Sequence, residues 1–104
     1  MASDRADPTF VFVDGALVRP DEARLSPFDH GLLVGDGVFE TVRVNDRVPF
    51  AWRRHIERLA HSARGLGLPL PDPADLRDAA DRVVAANGLR DARLRITVTG
   101  GPSP

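Results

Sequence analysis

Apolar positions along this chain change their spacing several times, and each change predicts an element. "TFVFVDGALV" reads as two short apolar strands meeting at Asp14-Gly15, a dipeptide suited to a type I′ turn because both positions tolerate positive φ. A β-hairpin is therefore expected from Thr9 to Val18. Pro20 and Pro27 then break regularity, since each removes a backbone donor and fixes φ. Asp29 to Gly37 holds three glycines within seven residues, too many for a helix longer than one turn. From Val38 to Val44 the residues favour a strand, and "NDR" at Asn45 to Arg47 turns it into a partner at Val48 to Phe50.

The period then changes to that of a helix. Trp52, Ile56, Leu59, Ala63 and Leu66 recur at steps of four and three, which places them on one face, with Arg53, Arg54, Glu57, His61 and Arg64 opposite. Gly65 or Gly67 supplies the stop. After "LGLPLPDP", Asp72 can cap a second helix with Pro73 at its first position, Leu76, Ala80, Val83 and Val84 on its buried face, and Asn87-Gly88 at its end. "ARLRITVTGG" alternates again: Leu94, Ile96 and Val98 on one side, Arg93, Arg95, Thr97 and Thr99 on the other. This order predicts an α+β fold, a small two-layer domain in which an antiparallel sheet of hairpins carries two helices on one face. Residues 1–8 read as a frayed N-terminus and residues 9–104 as one domain.

Composition narrows the function classes. At 104 residues the chain can build one modest core. Its 42% hydrophobic and 28% charged residues are ordinary globular values. No apolar run approaches the roughly 20 residues of a membrane helix, and the polar start "MASDRADPTF" has no signal-peptide core, so a cytoplasmic protein without a membrane partner is expected. A formal charge of −1 gives no field that would draw nucleic acid. With no cysteine there is neither a disulfide framework nor a thiolate nucleophile, and the three histidines share no metal-ligand spacing. All 14 basic residues are arginine, as coding in a GC-rich genome would produce, so no side-chain amine is present to form a Schiff base.

Three features remain as candidate chemistry. The glycines at 31, 35 and 37 serve tight turns or a close backbone approach; "GDG" is not a dinucleotide fingerprint, because a strand follows it where a helix N-terminus is needed. Glu40 shares a strand face with Val38, Val42 and Val44, while Phe39, Thr41 and Arg43 share the other. A carboxylate there must either pair with a helix arginine or line a cavity, since its bare desolvation is costly. In "RRHIERL", Arg54 and Arg58 stand one turn apart; they form a solvated face, or one of them clamps an anion.

Beyond these features, "DHGLLVGDGVFETVRV", "HIERLAHSARGLGLPLP" and "LRITVTGGPSP" occur in an order and spacing that resemble the N-terminal domain of the class IV, fold-type IV pyridoxal-phosphate enzymes. The group includes D-amino-acid and branched-chain aminotransferases and aminodeoxychorismate lyase. The resemblance covers about Phe10 to Pro104. It implies pyridoxal 5′-phosphate as cofactor, an amino-acid or aminodeoxychorismate substrate, and a homodimer. It makes Arg58 the residue that holds the cofactor phosphate, and places Phe39, Glu40 and Thr41 at the substrate pocket. "FET" lacks the glycine that branched-chain enzymes place after the glutamate, and "LLVGDG" lacks their tyrosine, which leans toward the D-amino-acid and lyase patterns, Thr41 toward the lyase.

Family members are longer and carry the Schiff-base lysine in a second domain. The resemblance therefore implies that this chain is the N-terminal part of such an enzyme, inactive by itself and without catalytic residues of its own. A stand-alone relative that binds or dimerises without catalysis is the other expectation.

Overall fold

Val42, Val44 and Leu59 are the largest side chains sealed from solvent, and they place the core between a strand and the first long helix. The structure, a computed structural model, describes residues 8–102. The reading of residues 1–8 as frayed lies almost wholly outside them.

The first hairpin forms as its sequence predicts. Strands β1 (Val11–Val13) and β2 (Ala16–Val18) pair antiparallel with Val11 opposite Val18, and Asp14 and Gly15 both take positive φ, 47° and 89°. A 3₁₀ turn at Pro20–Glu22 follows, then a five-residue helix α1 (His30–Val34) capped by Asp29. The glycine-rich segment thus holds a helix slightly longer than the one turn set as its limit, and Gly35 ends it at φ 74°. Strand β3 (Gly37–Asn45) and the short β4 (Val48–Pro49) make the second hairpin, followed by helices α2 (Trp52–Leu66) and α3 (Pro73–Asn87) and strand β5 (Ala92–Thr99). Asp72 caps α3 by accepting from the Ala74 N–H at 2.8 Å, as its place before Pro73 predicts.

β3 and β5 run antiparallel along their lengths, with Glu40 opposite Ile96 and Arg43 opposite Arg93, and β4 flanks β3 on the other side. Because β4 pairs only with Val44 and Asn45, the Gly37–Val42 stretch of β3 has one unpaired edge among the described residues. The inner face of β3 buries Glu40, Val42 and Val44 against α2, which answers with Ile56, Leu59 and Ala63.

The architecture is α+β and antiparallel, but the expectation of one sheet built from both hairpins needs correcting. β1 and β2 form a separate two-stranded ribbon. It is fastened to the end of α3: Asn87 Oδ1 accepts from the N–H groups of Thr9 and Phe10 at 2.7 and 3.0 Å, and its Nδ2 donates to Phe10 O at 3.0 Å and Val83 O at 2.9 Å. A guanidinium, Arg82, lies over the Phe12 ring.

Leu66 also departs from its pattern. It is 53% exposed at the last position of α2, beyond Ala63, the final residue of that helix buried in the core. Leu25, Phe28, Leu32, Leu33 and Val34, in and before α1, are each exposed, and the sequence carries no pattern that predicts it.

Candidate functional site

Glu40 is the one charged residue in the buried set among the described residues, 8% exposed among valines, and α2 supplies its partners. His55 and Arg58 lie three residues apart on that helix and so project from one side of it toward β3. Arg58 donates from Nη2 to Glu40 Oε1 at 2.7 Å, and from Nε to Oε1 and Oε2 at 3.0 and 3.1 Å. His55 Nδ1 reaches the same Oε1 at 2.8 Å.

The hydrogen bonds from Arg58 hold the Glu40 carboxyl below its ordinary value of 4.5. Burial opposes this and the His55 hydrogen bond adds to it, so Glu40 is an anion at neutral pH. The same carboxylate raises the Arg58 pKa further. An ionised carboxylate only accepts, so His55 contributes its Nδ1–H. Of the two readings open for Glu40, the ion pair with a helix arginine is the one seen. It is also clear which arginine is meant, because Arg54 makes no hydrogen bond or ion pair among the described residues.

Arg58 is anchored on one edge only. Its side chain remains 63% exposed, and its Nη1 takes no hydrogen bond among the described residues. A guanidinium held through Nε and Nη2, with Nη1 unbonded and most of the side chain exposed, can receive a further anion.

The remaining expected site residues lie elsewhere. Phe39 is 55% exposed on the outer face of β3, with the Arg95 guanidinium 4.1 Å from the centre of its ring. Thr41 is on that outer face too, opposite Arg95. An open hollow of about 450 Å³ is lined by Thr41, Arg43, Val44, Asp91, Ala92 and Arg93, and it includes neither Phe39 nor Arg58. Within this chain, then, Glu40 meets Arg58, whereas Phe39 and Thr41 face away from both. The unpaired Gly37–Val42 edge of β3 borders both faces.

The glycine-rich segment is tied to the residues after β5. Asp29 Oδ1 accepts from the Gly31 N–H at 2.8 Å while its Oδ2 accepts from Thr99 Oγ1 at 3.0 Å. His30 N–H donates to Gly101 O, and Gly100 N–H to Asp36 O, both at 3.0 Å. Gly31 has a packing reason: a Cβ there would stand 2.5 Å from the Thr99 methyl.

Sequence reasoning missed two contributors, His55 and the Asp29–Thr99 link. For His55 the signal was its place three residues before Arg58; for Asp29 it was a capping residue two positions before a glycine.

The amino-transferase class IV family model matches residues 37–104. A putative branched-chain-amino-acid aminotransferase of Methanocaldococcus jannaschii is 41% identical over 92 residues, 88% of this chain and 32% of that protein. The aminodeoxychorismate lyase of Bacillus subtilis is 35% identical over 89% of this chain and 33% of its own, and a D-alanine aminotransferase of Staphylococcus epidermidis 32% identical over 92% and 34%.

Among solved structures, the branched-chain aminotransferase of the thermophilic archaeon Thermoproteus uzoniensis with norvaline superposes with a TM-score of 0.78 at 33% identity, over 91% of this chain and 34% of that one. The branched-chain aminotransferase of Escherichia coli does so at 0.83 and 29%, over 91% and 34%. A further branched-chain amino acid aminotransferase, complexed with N-(5′-phosphopyridoxyl)-L-glutamate, reaches 0.84 at 30% identity, over 96% and 35%. This chain spans about a third of the length of the curated relatives it matches. Their names cover three reactions at comparable identity, so likeness along the whole chain marks a family and not one reaction. From the strand that carries Glu40 onward, the matched residues take in β3, both long helices and β5, and the chain belongs to the class IV aminotransferase family.

Proposed function

We propose that this chain forms the phosphate-gripping domain of a cytoplasmic pyridoxal-phosphate enzyme that acts on amino acids, with aminodeoxychorismate lysis as the alternative reaction of the same site. The observation that carries the proposal is the state of Arg58: a permanent cation, fixed along one edge by a buried carboxylate, largely exposed, and with no hydrogen bond at Nη1 among the described residues. That arrangement fits the phosphate end of the cofactor. When bound, the cofactor supplies an electron sink for charge developing beside the substrate nitrogen.

On this reading the residues of the chain divide the work. Arg58 orients the phosphate through Nη1. Phe39 and Thr41, across the open edge of β3, form the wall against which substrate rests, and the Arg95 guanidinium lies over the Phe39 ring. With no lysine among its 104 residues, the chain by itself does not turn substrate over. A homodimer belongs to the same proposal, and the exposed apolar side chains of Leu25, Phe28, Leu32, Leu33 and Val34 are ones that an interface would cover.

The test uses the full-length protein containing this chain, stripped of cofactor and titrated in parallel with pyridoxal 5′-phosphate and with pyridoxal, which lacks the phosphate. Arg58→Ala is expected to weaken binding of the first by about 10- to 100-fold while leaving the second unchanged, as loss of a charge-assisted hydrogen bond would do. Equal preference for the phosphorylated form in the variant and the parent would overturn the assignment. The comparison with pyridoxal is needed because Arg58→Ala also strips Glu40 of its main partner, so a loss of stability alone would lower both affinities together.

A further inference from the structure

We propose that Glu40 and His55 are positioning residues that make Arg58 a one-sided anion receptor, an inference that rests on Arg58 as the phosphate grip. Glu40 stands on a face otherwise apolar, between Val38 and Val42, where a further valine would pack without the cost of burying a charge. What it does there is geometric. Its carboxylate engages the Nε–Nη2 edge of the guanidinium, and it is Nη1 that is left without a hydrogen bond among the described residues.

An arginine at the surface ordinarily samples many rotamers and loses that freedom when a ligand arrives. With its Nε and Nη2 already bonded, Arg58 has lost the freedom before the ligand comes, and binding is stronger by the ordering that no longer has to be done.

His55 completes the arrangement at the same carboxylate oxygen. Oε1 takes Arg58 Nη2 at 2.7 Å, Arg58 Nε at 3.0 Å and His55 Nδ1 at 2.8 Å. The imidazole, itself only 19% exposed, stops the carboxylate from turning about its own axis and carrying the guanidinium with it. Because His55 and Arg58 come from the same helix and Glu40 from the strand below, the three side chains also set the height and rotation of α2 over β3 where the phosphate is received.

A purely structural ion pair would stabilise the fold without discriminating between ligands, and this separates the two roles. In the full-length protein stripped of cofactor, Glu40→Gln keeps the side chain's size and removes its charge. It is expected to lower the preference for pyridoxal 5′-phosphate over pyridoxal about three- to tenfold, and His55→Ala to lower it in the same direction by less. Combined with Arg58→Ala, Glu40→Gln is expected to add no further loss of preference, since both act through one guanidinium.

A Glu40→Gln protein with the parental preference overturns the inference, as does a double variant whose losses multiply. If Glu40→Gln does not fold, Glu40→Asp replaces it: the charge stays, the carboxylate withdraws by one methylene, and the same drop in preference is expected. Should Arg58→Ala itself leave the preference intact, the phosphate reading fails and this inference with it. Should Arg58→Ala abolish the preference while both Glu40 variants retain it, only the positioning role falls.

Discussion

A carboxylate among valines signals that something is asked of it, and at the scale of single residues Glu40 shows what the sequence could and could not convey. Alternation put it on the buried face with Val42 and Val44, and burial made a partner or a cavity obligatory. Which of the two was not legible, because the partner sits 18 positions away on α2 and its approach depends on how that helix lies over β3. Arg54 and Arg58 were equivalent by spacing, and only Arg58 reaches the carboxylate. His55 fell on neither the apolar nor the polar stripe of α2, so periodicity assigned it nothing.

The pairing carries a pH signature. The folded-state pKa of Glu40 is depressed, chiefly by Arg58, so its contribution to stability is fully present above the unfolded value near 4.5 and is lost as pH falls through the lower folded value. Thermal unfolding of the full-length protein and of Glu40→Gln should therefore differ near neutrality and converge below that value. A difference that stays constant across the acid range would show that the carboxylate's charge is not what stabilises the strand.

Regular elements were read with little error wherever a local rule was sufficient. The Asp14-Gly15 turn, the Asp72 cap and the alternation of β5 all depend on residues a few positions apart. The turn joining β3 and β4 was harder. Asp46 and Arg47 both take positive φ, 48° and 69°, without a glycine. They are held there by residues far along the chain: Arg47 N–H donates to Arg90 O at 2.7 Å, and Asp46 N–H to Asp91 Oδ1 at 2.9 Å. The place of the turn was legible in "NDR", but its form, two positive φ angles without a glycine, is set by these distant partners.

The role of Gly31 was equally hidden, since its neighbour Thr99 lies at the far end of β5. Gly31→Ala would drive a methyl group into the Thr99 side chain and is expected to cost about 1–3 kcal/mol of stability. Thr99→Ser, which removes the Thr99 methyl yet keeps the hydroxyl that donates to Asp29, should recover part of that loss in a double-mutant cycle followed by thermal melts. Strict additivity of the two changes would argue against the contact.

On the scale of the whole molecule, the α+β class and the order of elements were readable, but the partition into a three-stranded sheet and a separate ribbon was not. Hairpins announce their own turns, and their choice of neighbouring strand is made by tertiary contacts. The same holds for the site: the resemblance gave Arg58 to the cofactor phosphate and Phe39 to the substrate pocket, and the fold sets the two on opposite faces of β3, an arrangement no local pattern conveys.

The ribbon's attachment has one more consequence. Asn87 precedes Gly88, the neighbour that least hinders the ring closure by which asparagine sheds ammonia, a slow injury that makes the residue thermolabile. Here the attacking nitrogen is already bonded to Ala85 O, and the amide is committed to Thr9, Phe10 and Val83. Peptide mass spectrometry of heated samples should find Asn87 converted to aspartate only under conditions that first release the ribbon, so the fastening also works as a shelf-life guard, and once it lets go the new negative charge would oppose its return.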